Sequence, residues 1–177
     1  FILELLISKD IYPKNTYYTV HSGVLDFYFP KAKFLSDLIY KNRNIVAVSK
    51  AVKEEIQNKK TVETIDFIHN PIDLRTAIDL KNQFMVDDPS YILAVGRMND
   101  GIKQFDKLIL AYSKSILPER KVKLVILGEG KKKETYIKLA QKLSVESLVE
   151  FRGYVSNPFP YYKNALYLVL TSKNEGF

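Results

Sequence analysis

Apolar residues along this chain alternate between short continuous runs and stripes spaced three and four apart, the rhythms of strands and amphipathic helices. Tyr17-Tyr18-Thr19-Val20 predicts a short strand ending at His21. Residues 31–40 predict a helix with Phe34, Leu35, Leu38 and Ile39 on its buried face. Ile45-Val46-Ala47-Val48 reads as a strand buried on both sides. Ser49 then offers an N-cap hydroxyl to a helix reaching about Asn58, with Val52 and Ile56 inward. Residues 64–68 predict a further strand, closing on His69-Asn70-Pro71-Ile72-Asp73. From 71 to 90 the chain is more polar and weakly periodic, and it ends in Asp87-Asp88-Pro89-Ser90, as a linker would.

The second half repeats the alternation more cleanly. A strand over 91–95 leads into a loop from Gly96 to Gly101-Ile102. A helix over 103–117 carries Phe105, Leu108, Ile109, Tyr112 and Ile116 on one stripe, and Pro118 ends it. A strand over 122–127 closes on Gly128-Glu129-Gly130, and a helix over 131–143 turns Tyr136, Leu139, Ala140 and Leu143 inward. A strand over 149–152, a brief helix over 158–164 and a strand over 166–170 complete the pattern. Such alternation implies an α/β fold with parallel sheets and helices on both faces. Ligands of such sheets bind beyond the carboxyl ends of the strands. That singles out His21 and the segments 96–103, 128–130, 153–157 and 171–177.

Composition narrows the chemistry. With 46% hydrophobic and 27% charged residues, 7 Gly and 7 Pro in 177, disorder, collagen-like repeats and a disulfide scaffold are excluded. The chain has no Cys, which excludes thiol catalysis and cysteine zinc sites, and His21 and His69 are too few for a histidine-rich metal site. The apolar start is broken by Glu4 and too short to span a bilayer, and it lacks the flanks of a signal peptide. The chain begins at Phe1 without Met and stops at Gly176-Phe177 after a strand-like run, as an internal segment of a longer protein would. The net charge of +7 lies wholly in residues 89–177, which hold 15 Lys and Arg against 8 Asp and Glu. A basic half suits an anionic partner, such as a nucleotide, a nucleic acid or an acidic membrane surface, but on charge alone a lysine-rich solvated surface is the better reading.

The candidate loops differ in how much they say. Gly128-Glu129-Gly130 lacks the third glycine of a dinucleotide fingerprint, since Lys133 stands there, so a tight strand-to-helix turn explains it. No loop carries the Gly-Lys-Ser/Thr ending of a P-loop. At Gly96-Arg97 a glycine permits close backbone approach, Arg97 can fork two oxygens, and Lys103 stands near a helix N-terminus. On those residues alone, a diphosphate clamp and solvated surface cations are equally good readings.

Four blocks taken together carry a resemblance. Tyr91-Ile92-Leu93-Ala94-Val95-Gly96-Arg97-Met98, with Lys103 and Leu108-Ile109, resembles the opening of the C-terminal domain of GT-B glycosyltransferases of family 4. Leu124-Val125-Ile126-Leu127-Gly128-Glu129-Gly130 resembles that family's next strand and Gly-acidic-Gly turn. Val149-Glu150-Phe151-Arg152-Gly153-Tyr154-Val155 is similar to its strand near the base pocket, and Thr171-Ser172-Lys173-Asn174-Glu175-Gly176-Phe177 to the start of its paired-glutamate motif. Thr19-Val20-His21-Ser22, the segment 45–52 and Asn70-Pro71-Ile72-Asp73 resemble parts of the N-terminal domain and its exit to the linker.

The resemblance implies two Rossmann-like domains, both with incomplete parallel sheets here. Residues 1–75 would end the N-terminal acceptor-side domain, 76–89 would form the linker, and 90–177 would begin the nucleotide-sugar domain. It further implies sugar transfer from a nucleoside diphosphate donor to a hydroxyl of a glycan or lipid-linked glycan, with retention, in polysaccharide or cell-envelope biosynthesis. By the same resemblance Arg97 and Lys103 contact the diphosphate, Glu175 faces the donor sugar, and His21 lies near donor sugar and phosphate. Gly96, Gly128 and Gly130 leave room for the nucleotide, while Tyr154 and Val155 border the base. With no Asp-x-Asp present, fixed cations would replace a metal at the leaving group, so neither metal nor cofactor is expected. The expected setting is cytoplasmic, at the inner membrane face, with peripheral contact to anionic lipid and no nucleic-acid partner. The competing readings are a GT-B-like sugar-nucleotide epimerase and a non-catalytic basic module that binds nucleotides or anions.

Overall fold

The computed structural model describes residues 16–40, 43–59, 64–86, 90–173 and 175. They fall into two compact units, one running to Ile72 and including Glu175, the other spanning Asp73–Lys173. Each has its own parallel sheet, as the alternating pattern requires.

In the first unit, β1 (Tyr17–Val20), β2 (Asn44–Ala47) and β3 (Thr64–Phe67) pair in that order, with Tyr17 opposite Asn44 and Asn44 opposite Thr64. Two helices, α1 (Lys33–Tyr40) and α2 (Lys50–Lys59), accompany them. The Ser49 hydroxyl accepts the Val52 N–H at 3.3 Å, the expected cap, and Val52 and Ile56 are buried. Two expectations fail here. On α1 the expected Ile39 is buried, together with Ser36 and Tyr40, whereas Phe34 and Leu38 are 71% and 46% exposed. The Tyr40 ring packs with its centroid 4.7 Å from that of Phe29 and edge-on to Tyr18, which anchors this side of the helix to the core. In the run 45–48, Ile45, Ala47 and Val48 are buried and Val46 is half-buried, so one face is covered throughout and the other only at its end.

In the second unit, β4 (Tyr91–Val95), β5 (Lys123–Leu127), β6 (Val149–Gly153) and β7 (Tyr167–Leu168) form a sheet of order β6-β5-β4-β7. The two central strands serve two cores. Ile92, Ala94, Leu124 and Ile126 face α4 (Phe105–Ser113) and α5 (Lys133–Lys142) through Phe105, Leu108, Ile109, Tyr112, Tyr136 and Ala140. Tyr91, Leu93, Val125 and Leu127 point the other way, against Tyr161 and Ala165 at α6 (Phe159–Asn164). Continuous apolar runs on β4 and β5 follow from this two-sided burial.

Helix ends depart from the expected ones for identifiable reasons. α4 stops at Ser113, because Ser113 and Ser115 hydroxyls bond the Leu110 and Tyr112 carbonyls, and Ile116 beyond them is 53% exposed. The polar stretch 71–90 contains a helix, α3 (Leu74–Leu80), with no buried residue. A cap rather than a core starts it: Asp73 accepts the Thr76 N–H at 3.0 Å and its hydroxyl at 2.7 Å. The last strand is shorter than expected, although Leu166 and Val169 N–H groups still donate to Tyr91 and Leu93. After α5, Ser144 takes a left-handed φ of 56° while the Val145 N–H bonds the Ala140 carbonyl at 3.0 Å. Glycine is the favoured residue at that position of a helix terminus. Ser144→Gly should therefore raise stability by about 0.5–1 kcal/mol, read as a higher denaturation midpoint.

Two buried phenols set an alkaline limit. Tyr40 donates to the Tyr28 carbonyl at 2.6 Å and Tyr112 to that of Val122 at 2.7 Å. Burial pushes both up to about 12, with Tyr18 adding to the effect at Tyr40. An unfolded tyrosine ionises near 10. The stability these phenols contribute is thus complete below about pH 10 and is lost as pH rises toward 12. Urea midpoints measured from about pH 9 to 12 should fall across that window. Tyr40→Phe and Tyr112→Phe should each flatten the fall, and unchanged slopes would assign the alkaline loss to other groups.

Candidate active site

The order β6-β5-β4-β7 reverses between β4 and β7, and doubly wound sheets bind ligands at such a switch, beyond the carboxyl ends. Three of those ends carry Gly96, Gly128 and Gly153. Their loops are stitched through the backbone. Gly96 N–H donates to Leu127, Gly128 N–H to Gly153, and Met98 N–H to Glu129, at 2.9, 2.7 and 2.9 Å. Lys132 N–H returns to Met98 at 2.9 Å, and the Asn99 side chain accepts Lys131 N–H at 3.2 Å.

That stitching explains the glycines. Gly128 has φ of 137°, and a Cβ there would lie 2.0 Å from the Gly96 carbonyl oxygen. Gly130 has φ of 153°, and its Cβ would lie 2.4 Å from the Met98 carbonyl carbon. Both positions need glycine so that two loops can touch backbone to backbone. Gly96 serves a side chain instead: a Cβ there would meet Lys103 Cγ, Cδ and Cε at 2.9, 3.1 and 3.2 Å. The aliphatic stem of Lys103 therefore runs across Gly96.

Beside these loops opens a cleft of about 380 Å³, lined by Gly96-Arg97, Gly128-Glu129 and Tyr154-Val155. Its polar groups differ in what they are free to do. The Glu129 carboxylate is bound to Lys133 at 2.7 Å, so those charges compensate each other. Arg97 is exposed and makes no hydrogen bond or ion pair among the described residues. Its guanidinium is a fork of donors, and an anion entering the cleft would meet it.

The seven expected donor-side residues Gly96, Arg97, Lys103, Gly128, Gly130, Tyr154 and Val155 all lie in the second unit, at the carboxyl end of its sheet. Tyr154 is 79% exposed at the cleft. His21 and Glu175 belong to the first unit. His21 is exposed at the end of β1, with its backbone N–H donating to the Tyr28 hydroxyl at 3.3 Å, and Glu175 is also exposed. Among the described residues, no three His, Asp or Glu side chains gather to hold a metal ion. No helix among them is long and apolar enough to cross a membrane.

Sequence reasoning missed the underside of the site. Gln104 holds a left-handed φ of 49° at the start of α4, where only a glycine or asparagine would have signalled it. The Thr171 hydroxyl donates to the Lys103 carbonyl at 2.8 Å, and Lys173 N–H donates to Ile102 at 2.8 Å. Neither bond leaves a local pattern, because its partners are far apart in the chain.

Comparison with known proteins agrees with this arrangement. Residues 77–177 match the family described as glycosyl transferases group 1. The N-acetylgalactosamine-N,N'-diacetylbacillosaminyl-diphospho-undecaprenol 4-alpha-N-acetylgalactosaminyltransferase of Campylobacter jejuni subsp. jejuni serotype O:2 is 29% identical over 99% of this chain and 45% of its own length. Among solved structures, a mutant of S. aureus TarM in complex with fondaparinux, alpha-GlcNAc-glycerol and UDP aligns with a TM-score of 0.70 at 22% identity, over 90% of this chain and 32% of TarM. Anabaena HepE in complex with UDP-glucose gives 0.70 at 18% identity, over 97% of this chain and 50% of HepE. The chain thus spans half or less of the length of these relatives. The match of 77–177 covers more than half of the chain and includes the whole sheet around the cleft, so the chain belongs to the glycosyl transferases group 1 family and has the GT-B fold.

Proposed function

We propose that this chain carries the donor side of a family 4 glycosyltransferase, a retaining hexosyltransferase. In this reading it moves a sugar from a nucleoside diphosphate to a hydroxyl of a lipid-linked glycan, at the inner face of a membrane, in cell-envelope synthesis. The observation that carries the reading is Arg97, an exposed guanidinium with no ion pair among the described residues, at a cleft beyond the carboxyl ends of β4, β5 and β6. The name of the Campylobacter relative supports the lipid-linked acceptor, and UDP in the TarM and HepE structures supports the donor class.

Arg97 and Lys103 hold the diphosphate and neutralise the charge that develops as it leaves, a task otherwise given to a metal ion. The departing phosphate takes the acceptor proton, so attack comes on the face the nucleotide vacates and configuration is retained. Tyr154 and Val155 border the base, and Glu175 and His21 act on the donor sugar.

The test is transfer by the full-length protein from a panel of UDP-sugars to a polyprenyl-diphosphate-linked glycan in the presence of EDTA. A product with the donor's anomeric configuration by NMR is the expected result. Loss of turnover in EDTA, restored by Mg²⁺ or Mn²⁺, would remove metal independence from the reading, and an inverted product would remove retention. A donor epimerised without acceptor would make the protein an epimerase.

A further inference from the structure

The stem of Lys103 lies across Gly96, a residue that lines the cleft, so the height of the Lys103 backbone above the sheet sets where its ammonium goes. Local structure does not hold it there. Residue 104 is in the left-handed region, unfavourable for a glutamine, and no side chain caps the start of α4. The support comes from the loop that leaves β7. The Thr171 hydroxyl donates to the Lys103 carbonyl at 2.8 Å and approaches that of Gln104 at 3.4 Å. Lys173 N–H donates to the Ile102 carbonyl at 2.8 Å. The Gln104 amide, oriented to suit its neighbours, donates back to the Thr171 carbonyl at 3.1 Å. The two loops are clasped at three successive residues of one, and a threonine side chain makes the central bond.

We infer that Thr171 is a positioning residue for Lys103: its hydroxyl fixes the Lys103 backbone so that the ammonium is carried to the donor diphosphate. This rests on the proposed role of Lys103. The hydroxyl of Ser172, next in the chain, is buried and has no hydrogen-bond partner among the described residues, so the clasp gains nothing from it. The bond contributes to folding like other hydroxyl-to-carbonyl bonds, and its effect on the charge it places is read separately, in ligand binding.

Calorimetric titration of the full-length protein with UDP tests this. Thr171→Val should weaken UDP binding about ten-fold, while Thr171→Ser, which restores the hydroxyl, should stay within about two-fold of wild type. In a Lys103→Ala background Thr171→Val should weaken binding no further, since the group it positions is gone. Ser113→Ala, which removes a hydroxyl-to-carbonyl bond at the far end of α4, should leave UDP affinity unchanged. If the valine variant does not fold, Thr171→Ala makes the same comparison. Equal weakening by Thr171→Val in both backgrounds, or none in either, would overturn the inference alone. A wild-type protein that does not bind UDP, or a Lys103→Ala variant that binds it normally, would overturn the proposed role of Lys103 and this inference with it.

Discussion

Arg97→Ala in the full-length enzyme should lower kcat/KM for sugar transfer by roughly 10²–10³-fold, the effect of losing one preorganised contact to developing charge. Two unit charges about 4 Å apart interact by on the order of 4 kcal/mol at an effective dielectric near 20, before desolvation. Arg97 enters that contact at small cost, because it has no carboxylate to release among the described residues. Lys133 does not share this advantage: its ammonium is bound to Glu129 at 2.7 Å. Arg97→Lys should recover only part of the rate, since it keeps the charge and loses the two-pronged geometry. Lys131→Ala, on the same basic surface, should cost little. Equal and small losses at Arg97 and Lys131 would make both solvated surface cations and leave the cleft without its clamp.

Gly128→Ala should be the most damaging small substitution in the second unit, at about 3 kcal/mol or more of unfolding free energy. Two penalties add there. The backbone stands at φ of 137°, and the new methyl would lie 2.0 Å from the Gly96 carbonyl oxygen. That oxygen cannot swing away cheaply, because the next loop residues are held by the Met98–Glu129 and Lys132–Met98 bonds. Gly101→Ala is the matched control: its methyl would meet only the end of the Lys132 side chain, at 3.5 Å. Chemical denaturation of both variants would decide, and similar midpoints would show that the loops can part without loss.

The fold class and the two sheets were legible in the residues because strand and helix periods are local. Runs such as Leu124-Val125-Ile126-Leu127 announce a strand wherever it packs, and Ser49 caps its helix with atoms three residues away. The site was legible in part. Gly96 and Arg97 follow β4 directly, so chain order alone puts them at its carboxyl end, whereas Lys103 is held by the loop after β7. What failed were judgements that depend on a distant partner. Phe34 and Leu38 complete a stripe with Ile39 in the sequence, but the core of the first unit takes Ile39 with Ser36 and Tyr40, whose ring meets Phe29 and Tyr18. Ser113 at the end of α4 and Ser115 just beyond it read as helix interior until their hydroxyls are seen on carbonyls one turn back.

The sequence by itself determined the alternation of strands and helices, the basic second half and the candidate cations, since each depends on residue type and near neighbours. Tertiary structure decided what those residues are for. It made Gly128 and Gly130 points of contact between two backbones, and Gly96 the groove for a lysine stem. It left Arg97 without a partner among the described residues while it paired Lys133 with Glu129. It also placed Thr171 beneath Lys103, across 68 positions of chain. A hydrogen bond over that separation has no periodic trace, because it forms only once β4 and β7 lie side by side in the sheet.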